Sequence, residues 1–184
     1  MTAQRPPDQH GDILVFAYGS LMWRPEFDHI DIQPAILKGY HRSLCIFSYE
    51  YRGNRENPGL VFGLEQGGTC MGRVLKVNAG KADGVLDYLY QREMITGVYL
   101  PRWLEVDLPE QQTSATAYCF VADQQHEQFC GKLELEETIR LILQGHGSGG
   151  ACLDYVINTY EHMQKIGIED NYLAKIIALA KEKY

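Results

Sequence analysis

Glu93 is the residue whose type and position most directly suggest proton-transfer chemistry. The segment Lys81–Ile95 has the composition of one helix, in which Ala82, Leu86, Leu89 and Glu93 follow at intervals of four, three and four residues. These intervals place the four side chains on one helical face. A carboxylate among apolar side chains costs free energy unless it is paired or functional, and burial raises its pKa toward the range useful for a general base.

A structural interpretation of Glu93 is equally compatible with this spacing. The residue lies in the last turn of the predicted helix, where helices fray. Arg92 or Arg102 could supply an ion pair for its carboxylate. Asp87 and Gln91 point away from the apolar stripe, so the choice concerns Glu93 alone. The spacing leaves both interpretations open.

A second candidate is the turn Tyr18-Gly19-Ser20-Leu21, which follows the apolar run Ile13 to Tyr18. Gly19 allows the backbone to bend sharply or to approach a ligand closely. Consecutive backbone N–H groups in such a turn can bind an anion such as a carboxylate. For these residues by themselves, an ordinary Gly-Ser end to a strand is the simpler interpretation.

The glycine-rich segment from Gly145 to Gly150 contains the spacing G-x-G-x-x-G. A dinucleotide-binding fingerprint must follow a strand and open a helix, whereas an amphipathic helix precedes this segment. A helix C-cap followed by a flexible connector is the better interpretation. Ser148 does not complete a G-x-S-x-G nucleophile elbow, because His146 occupies the position of the first glycine.

The cysteines do not form a recognisable reactive or metal-binding pattern. Their number, five, is odd, and the sequence contains neither a C-x-x-C nor an H-x-x-x-H spacing. Cys45, Cys119 and His41 lie in or near predicted strands, but no spacing selects a Cys–His pair. We therefore expect the cysteines to be small buried residues and the site to be metal-free.

Composition excludes several classes of function. The 184 residues carry a net charge of −7, so the excess of Lys and Arg needed for non-specific nucleic-acid binding is missing. The longest apolar run is far shorter than the roughly 20 residues that cross a bilayer. The polar start of the sequence lacks the apolar region of a secretory signal. We predict a cytoplasmic protein that binds neither membranes nor nucleic acid.

The order of predicted elements indicates an α+β fold, because strands come first and helices cluster at the C-terminus. The predicted strands are residues 13–18, 37–51, 60–64, 70–77, 103–108 and 113–121, and the predicted helices are 81–95, 133–144, 153–166 and 171–183. Gly67-Gly68 predicts a hairpin turn, and Asp170 is the predicted N-cap of the last helix. Residues 1–12 are predicted to be a disordered lead-in to a single domain, residues 13–184.

The first strand and its turn, followed by Trp23, resemble the signature of the γ-glutamylcyclotransferases, and the rest of the sequence resembles their ChaC-like, glutathione-specific branch. The residues that carry this second resemblance are Arg42, Arg52, Gly53, Pro58, Gly59, Gly72, Arg92, Glu93, Gly97, Tyr99, Gly147, Ser148, Gly149 and Tyr155. The resemblance runs from about residue 13 to the C-terminal helix. One departure is Val98, where some members have a second glycine before the tyrosine.

The resemblance implies a small β-barrel with flanking helices, a cavity at the turn after the first strand, and one catalytic glutamate. That glutamate corresponds to Glu93. The implied substrate-binding residues are Val15, Phe16, Ala17, Tyr18, Gly19, Ser20 and Leu21. Arg42 and Arg52 are candidates for binding the glycine carboxylate of glutathione, with surface ion pairs as the alternative.

The implied activity is the release of 5-oxoproline and cysteinylglycine from glutathione, a small-molecule substrate, with Glu93 as general base and acid. The α-amine of the substrate attacks its own γ-amide carbonyl, so neither an enzyme nucleophile nor a cofactor or metal is required. Two alternatives stay open. The substrate could be another γ-glutamyl amino acid or a γ-glutamylamine, or the chain could be a non-catalytic module that binds a γ-glutamyl ligand.

Overall fold

The computed structural model describes residues 11–183, which form two compact units. The first unit contains the described residues through Arg42 together with Leu64–Asp123. The second contains Ser43–Gly63 and the described residues from Gln124 onward. Most of the predicted lead-in lies outside the described residues. The assignment of the chain to a single domain stays a prediction.

Seven strands and four helices are present among residues 11–183, in agreement with the predicted α+β class. They are β1 (Ile13–Ala17), β2 (Asp31–Ser48), β3 (Gly59–Val77), α1 (Ala82–Glu93), β4 (Tyr99–Leu108), β5 (Thr113–Ala122), α2 (Leu135–Gln144), β6 (His146–Gly147), β7 (Gly150–Ala151), α3 (Cys152–Lys165) and α4 (Asn171–Lys183). Short 3₁₀ turns occupy Ser20–Met22, Ala79–Lys81 and Pro109–Gln111.

Five strands close into a barrel in the order β1-β3-β2-β4-β5, which confirms the expected barrel. β1 pairs antiparallel with β3 and parallel with β5, so it has a neighbour on each edge. Four of its five residues are buried. A strand enclosed on both faces is expected to be a continuous apolar run, and this explains why β1 shows no alternation of polar and apolar residues.

The predicted hairpin at Gly67-Gly68 is wrong. β3 runs without interruption from Gly59 to Val77, and both glycines lie inside it with positive φ angles of 98° and 73°. Glycines within a strand commonly mark a local bend rather than a reversal of the chain. The strand continues past them because its C-terminal half pairs with β1, from Arg73 to Val77.

The helices follow their predicted positions closely. α1 ends at Glu93, two residues before the predicted end, and α4 begins where predicted. The Asp170 carboxylate accepts a hydrogen bond of 2.8 Å from the backbone N–H of Leu173, which confirms it as the N-cap of α4. Within residues 11–183, no helix is long and apolar enough to cross a membrane. The cytoplasmic location stays a prediction.

Candidate functional site

The chain leaves the barrel after β1 through a tightly held 3₁₀ turn. The Met22 N–H donates to the Gly19 carbonyl at 3.0 Å, and the Trp23 N–H donates to the Ser20 carbonyl at 3.1 Å. The Tyr18 hydroxyl donates to the carbonyl of Phe120, on β5, at 2.9 Å. The turn is therefore anchored by its own backbone and by a neighbouring strand.

Arg42 fixes the carbonyl side of the same turn. Its Nε donates to the Tyr18 carbonyl at 2.5 Å, and its Nη2 donates to the Met71 carbonyl at 2.6 Å. At the adjacent Gly72, a Cβ atom would overlap the Ala17 carbonyl oxygen and the Phe16 ring, so only glycine permits this close approach of β3 to β1. Arg42 thus binds main-chain carbonyls rather than a surface carboxylate.

The backbone N–H groups at the start of this turn, unlike the Tyr18 carbonyl, are not bound by Arg42. The first N–H groups of a helical turn have no acceptor within the turn itself. Among the backbone hydrogen bonds of residues 11–183 outside regular helices and strands, none uses the N–H of Ser20 or Leu21. These two donors have the chemistry needed to bind a carboxylate.

Glu93 is the last residue of α1, and its side chain is only 18% exposed. Ala82, Leu86 and Leu89, which share its helical face, are buried as predicted. Burial raises the pKa of the Glu93 carboxyl above its ordinary value of 4.5, because it disfavours the charged form, while the nearby Arg92 guanidinium opposes that rise. A carboxyl in this state is suited to exchanging protons near neutral pH.

Arg92 connects the two candidate regions. Its Nε lies 3.3 Å from the Glu93 Oε1, and its Nη2 donates to the Ser20 hydroxyl at 3.3 Å. Of the two ion-pair partners considered for Glu93, Arg92 is the one found beside it, whereas Arg102 is exposed and donates to the Pro101 carbonyl. Glu93 therefore has features of both the structural and the functional interpretation. It is a last-turn residue with an ion pair, and it is also largely buried.

The predicted substrate-binding residues differ in their surroundings. The side chains of Val15, Phe16 and Ala17 are buried in the core, and Ser20 is the most accessible member of the set. Sequence reasoning missed Glu26 and Tyr88, which both contact Arg92. Tyr88 precedes Arg92 by four residues on a helix, and this spacing could have identified it.

Cysteine chemistry is disfavoured by burial. Four of the five cysteines are buried, as expected, and Cys130 is half-buried. Burial raises the pKa of Cys119 to about 12 and that of Cys152 to about 11, which suppresses the reactive thiolate at both. His41 lies with Nδ1 3.0 Å from the Gly67 carbonyl and Nε2 3.6 Å from the Glu65 carboxylate.

The glycine-rich segment forms the two-stranded hairpin β6-β7 rather than a flexible connector. The Ser148 N–H donates to the Glu50 carbonyl at 3.0 Å, and the Gly149 N–H donates to the Tyr51 carbonyl at 2.9 Å. At Gly147, a Cβ atom would overlap the Glu50 carbonyl oxygen. These two N–H groups are therefore already bonded to backbone carbonyls of the protein.

Arg52 serves the same hairpin. Its Nη1 donates to the Gly149 carbonyl and lies 3.4 Å from the Ala151 carbonyl oxygen. Its guanidinium carbon also lies 5.2 Å from the centre of the Tyr155 ring, within the range of a cation–π contact. Like Arg42, Arg52 contacts main-chain carbonyls.

Within residues 11–183, no three His, Cys, Asp or Glu side chains are grouped in a way that could hold a metal ion. The expectation of a site without metal or cofactor stays a prediction.

Comparison with known proteins gives consistent matches over nearly the whole chain. A family model described as ChaC-like protein matches residues 13–183. The glutathione-specific γ-glutamylcyclotransferase of Escherichia coli K12 is 30% identical over 176 residues, covering 96% of this chain and 75% of that protein. The human glutathione-specific γ-glutamylcyclotransferase 1 is 31% identical over 181 residues, covering 93% of this chain and 81% of that protein.

The fold also matches a solved structure. A crystal structure of a yeast γ-glutamyl cyclotransferase specific to glutathione superposes with a TM-score of 0.85. The match covers 94% of this chain and 96% of the yeast chain at 21% sequence identity. At this identity the likeness concerns the fold, and it agrees with the barrel and helices described above.

Proposed function

Because this chain belongs to the ChaC-like family, we propose that it is a glutathione-specific γ-glutamylcyclotransferase in which Glu93 is the general base and acid. The observation that supports this assignment most strongly is the Glu93 carboxyl, which is largely buried, has a raised pKa and contacts Arg92. The same arginine reaches the Ser20 hydroxyl in the turn after β1. An acid and an anion-binding turn are the two parts that the reaction needs.

The proposed reaction is an intramolecular acyl transfer. The α-amine of the γ-glutamyl group attacks its own γ-carbonyl carbon, a new C–N bond closes the five-membered lactam, and the original amide C–N bond breaks. The products are 5-oxoproline and cysteinylglycine. The electron pair of the broken bond stays with the departing nitrogen. The attacking nitrogen loses two protons as it passes from ammonium to lactam N–H, and the departing nitrogen gains two as it passes from amide N–H to the ammonium of cysteinylglycine.

Glu93 would move the proton that makes this reaction proceed. The α-ammonium of the substrate cannot attack until it loses a proton, and an ionised Glu93 can accept it. The same carboxyl can then return this proton to the departing nitrogen and relay the second proton, which the attacking nitrogen loses on ring closure, by the same route, so that the base ends ionised. Such proton transfer is typically worth roughly 10² to 10⁴ in rate.

The turn after β1 would hold the other end of the γ-glutamyl group. The N–H groups of Ser20 and Leu21 are suited to binding its α-carboxylate. This contact would place the α-amine, which is bonded to the same carbon, beside the base. Val15, Phe16 and Ala17 support the turn from within the core, and Tyr18 and Gly19 form its start.

Holding the substrate in a bend would supply a further part of the rate. Free glutathione is flexible, and its amine is seldom close to its γ-carbonyl. Fixing the reacting atoms about 3–3.5 Å apart removes an entropic barrier that can reach several kcal/mol. The enzyme would thus combine proton transfer with a bound conformation ready to cyclise.

A product assay on three substrates tests the proposal. We expect the purified protein to release 5-oxoproline and cysteinylglycine from glutathione faster than it releases 5-oxoproline from γ-glutamyl-alanine or ε-(γ-glutamyl)-lysine. Faster turnover of either rival would replace glutathione as the substrate. Saturable binding of all three without turnover would instead identify a non-catalytic binding module.

A further inference from the structure

Arg92 makes an unusual number of contacts for a side chain at the end of a helix. Its Nη1 lies 3.0 Å from the Arg24 carbonyl oxygen, 3.2 Å from that of Pro25 and 3.2 Å from the Glu26 carboxylate. It also donates to the Tyr88 hydroxyl at 3.0 Å. The guanidinium therefore binds the segment that follows the 3₁₀ turn, and the arginine side chain is only 16% exposed.

The same guanidinium contacts both parts of the candidate site. Its Nη2 reaches the Ser20 hydroxyl and its Nε lies beside the Glu93 carboxylate. Neighbouring side chains on a helix diverge, so adjacency in the sequence does not by itself bring Arg92 to Glu93. The guanidinium must be held from outside the helix, and the carbonyl groups of Arg24 and Pro25 do this.

The other groups that contact Arg92 do not prevent its positive charge from stabilising the ionised Glu93 carboxylate. Glu26 is the other carboxylate on the guanidinium, but it is half-exposed and is also bound by the Arg24 Nε at 2.8 Å. Tyr88 contributes a hydroxyl group. Within residues 11–183, Arg92 is the charged group that acts on the Glu93 carboxyl, and it stabilises the ionised form.

We propose that Arg92 is a positioning residue, whose guanidinium fixes the Glu93 carboxylate relative to the turn after β1. Its planar group of five N–H donors contacts the helix end, the turn and the following segment at the same time. The catalytic consequence rests on the proposed function, because it concerns the base and the turn named there. The contact between Arg92 and Glu93 does not depend on that function.

The test compares two Arg92 variants with a control in the neighbouring segment. In Arg92→Gln, we expect kcat to fall by roughly 10- to 100-fold, since small displacements of reacting groups have effects of this size. The acidic limb of the pH profile moves to higher pH, because loss of the opposing positive charge raises the pKa of Glu93. Arg24→Gln, which removes an arginine bound to Glu26 but not to Glu93, should leave the limb in place.

The conservative variant separates the charge of Arg92 from its shape. Arg92→Lys keeps a positive charge, so the acidic limb should return toward its wild-type position. The kcat value should stay below wild type, because an ammonium on a flexible stem cannot hold Ser20 and the Arg24 and Pro25 carbonyls together. If Arg92→Gln does not fold, Arg92→Lys decides, and a wild-type kcat in that variant overturns the proposal.

An NMR titration of the Glu93 carboxyl makes the result independent of substrate. We expect its midpoint to lie at higher pH in folded Arg92→Gln than in the wild type. If kcat falls but the midpoint of the Glu93 titration does not change, Arg92 has only a structural role and the proposal is overturned. If the wild-type protein turns over none of the three substrates, the proposed function fails, while the titration still decides whether Arg92 acts on Glu93.

Discussion

Arg92 in the first unit and Arg52 in the second form similar contacts with different consequences. Both side chains donate to main-chain carbonyls, and both secure a turn that contains glycine and serine. Beside Arg92 lies the largely buried carboxylate of Glu93. Beside Arg52 lies the ring of Tyr155. The same residue type thus lies beside a carboxylate in one unit and beside an aromatic ring in the other.

Individual glycines also differ in what surrounds them. In the second unit, a Cβ atom at Gly59 or Gly145 would overlap the Arg52 carbonyl oxygen, so these glycines allow backbone segments to touch. In the first unit, Gly19 precedes a turn whose first N–H groups are not used by the backbone of the described residues. Some residues of the family signature therefore allow backbone segments to pack closely, and others lie at the candidate site. Their contacts, rather than their residue types, distinguish the two groups.

The largest expected effect is on activity and concerns Glu93. We expect Glu93→Gln to lower kcat by roughly 10² to 10⁴, because the amide cannot accept a proton from the substrate amine. Asp87→Asn is the matched control, since Asp87 is an exposed carboxylate on the same helix and should tolerate the change. Product release from glutathione is measured for both. Near-normal turnover in folded Glu93→Gln would rule out this residue as the base.

The next effect is on stability and concerns the second unit. Gly59→Ala should lower the free energy of unfolding by about 1–3 kcal/mol, because the added methyl group overlaps the backbone of Arg52. Gly84→Ala is the control, since a Cβ there meets nothing within 4 Å and alanine favours a helix by about 0.5–1 kcal/mol. Denaturant unfolding measures both. An unchanged stability in Gly59→Ala would contradict the close-packing explanation.

A smaller effect is expected at Arg52, where it contrasts directly with Arg92. Arg52→Lys should lower the free energy of unfolding by about 1–2 kcal/mol, because lysine cannot reproduce the contacts with the Gly149 carbonyl and the Tyr155 ring. The acidic limb of the kcat profile should stay at its wild-type pH. A shifted limb in this variant would break the distinction between the two arginines.

The smallest effect concerns stability as a function of pH. Burial raises the folded-state pKa of Glu93, so between the unfolded and folded pKa values the folded protein binds more protons than the unfolded chain. The free energy of unfolding contributed by this group therefore falls as pH rises through that window. Glu93→Gln should gain stability relative to the wild type as pH rises above 4.5, the ordinary pKa of a glutamate carboxyl. A constant difference in stability across this range would contradict the raised pKa.

Local sequence patterns predicted much of the fold. The apolar face of α1, the buried run of β1 and the Asp170 cap all depend on residues within about four positions of one another. The same periodicity placed Glu93 on the inner face of its helix. The Gly67-Gly68 prediction failed because a turn and a bend share the same local signal, and the pairing of β3 with β1 decides between them.

The sequence by itself determined most of the elements and the inner-face position of Glu93 on its helix, because periodicity, caps and glycine preferences act over short distances along the chain. Only the tertiary structure decided what each arginine contacts. Arg42 binds a carbonyl 24 positions away, and Arg92 binds a hydroxyl 72 positions away. Contacts over such separations depend on how the barrel closes, and no local pattern records which acceptor a long, flexible side chain will meet.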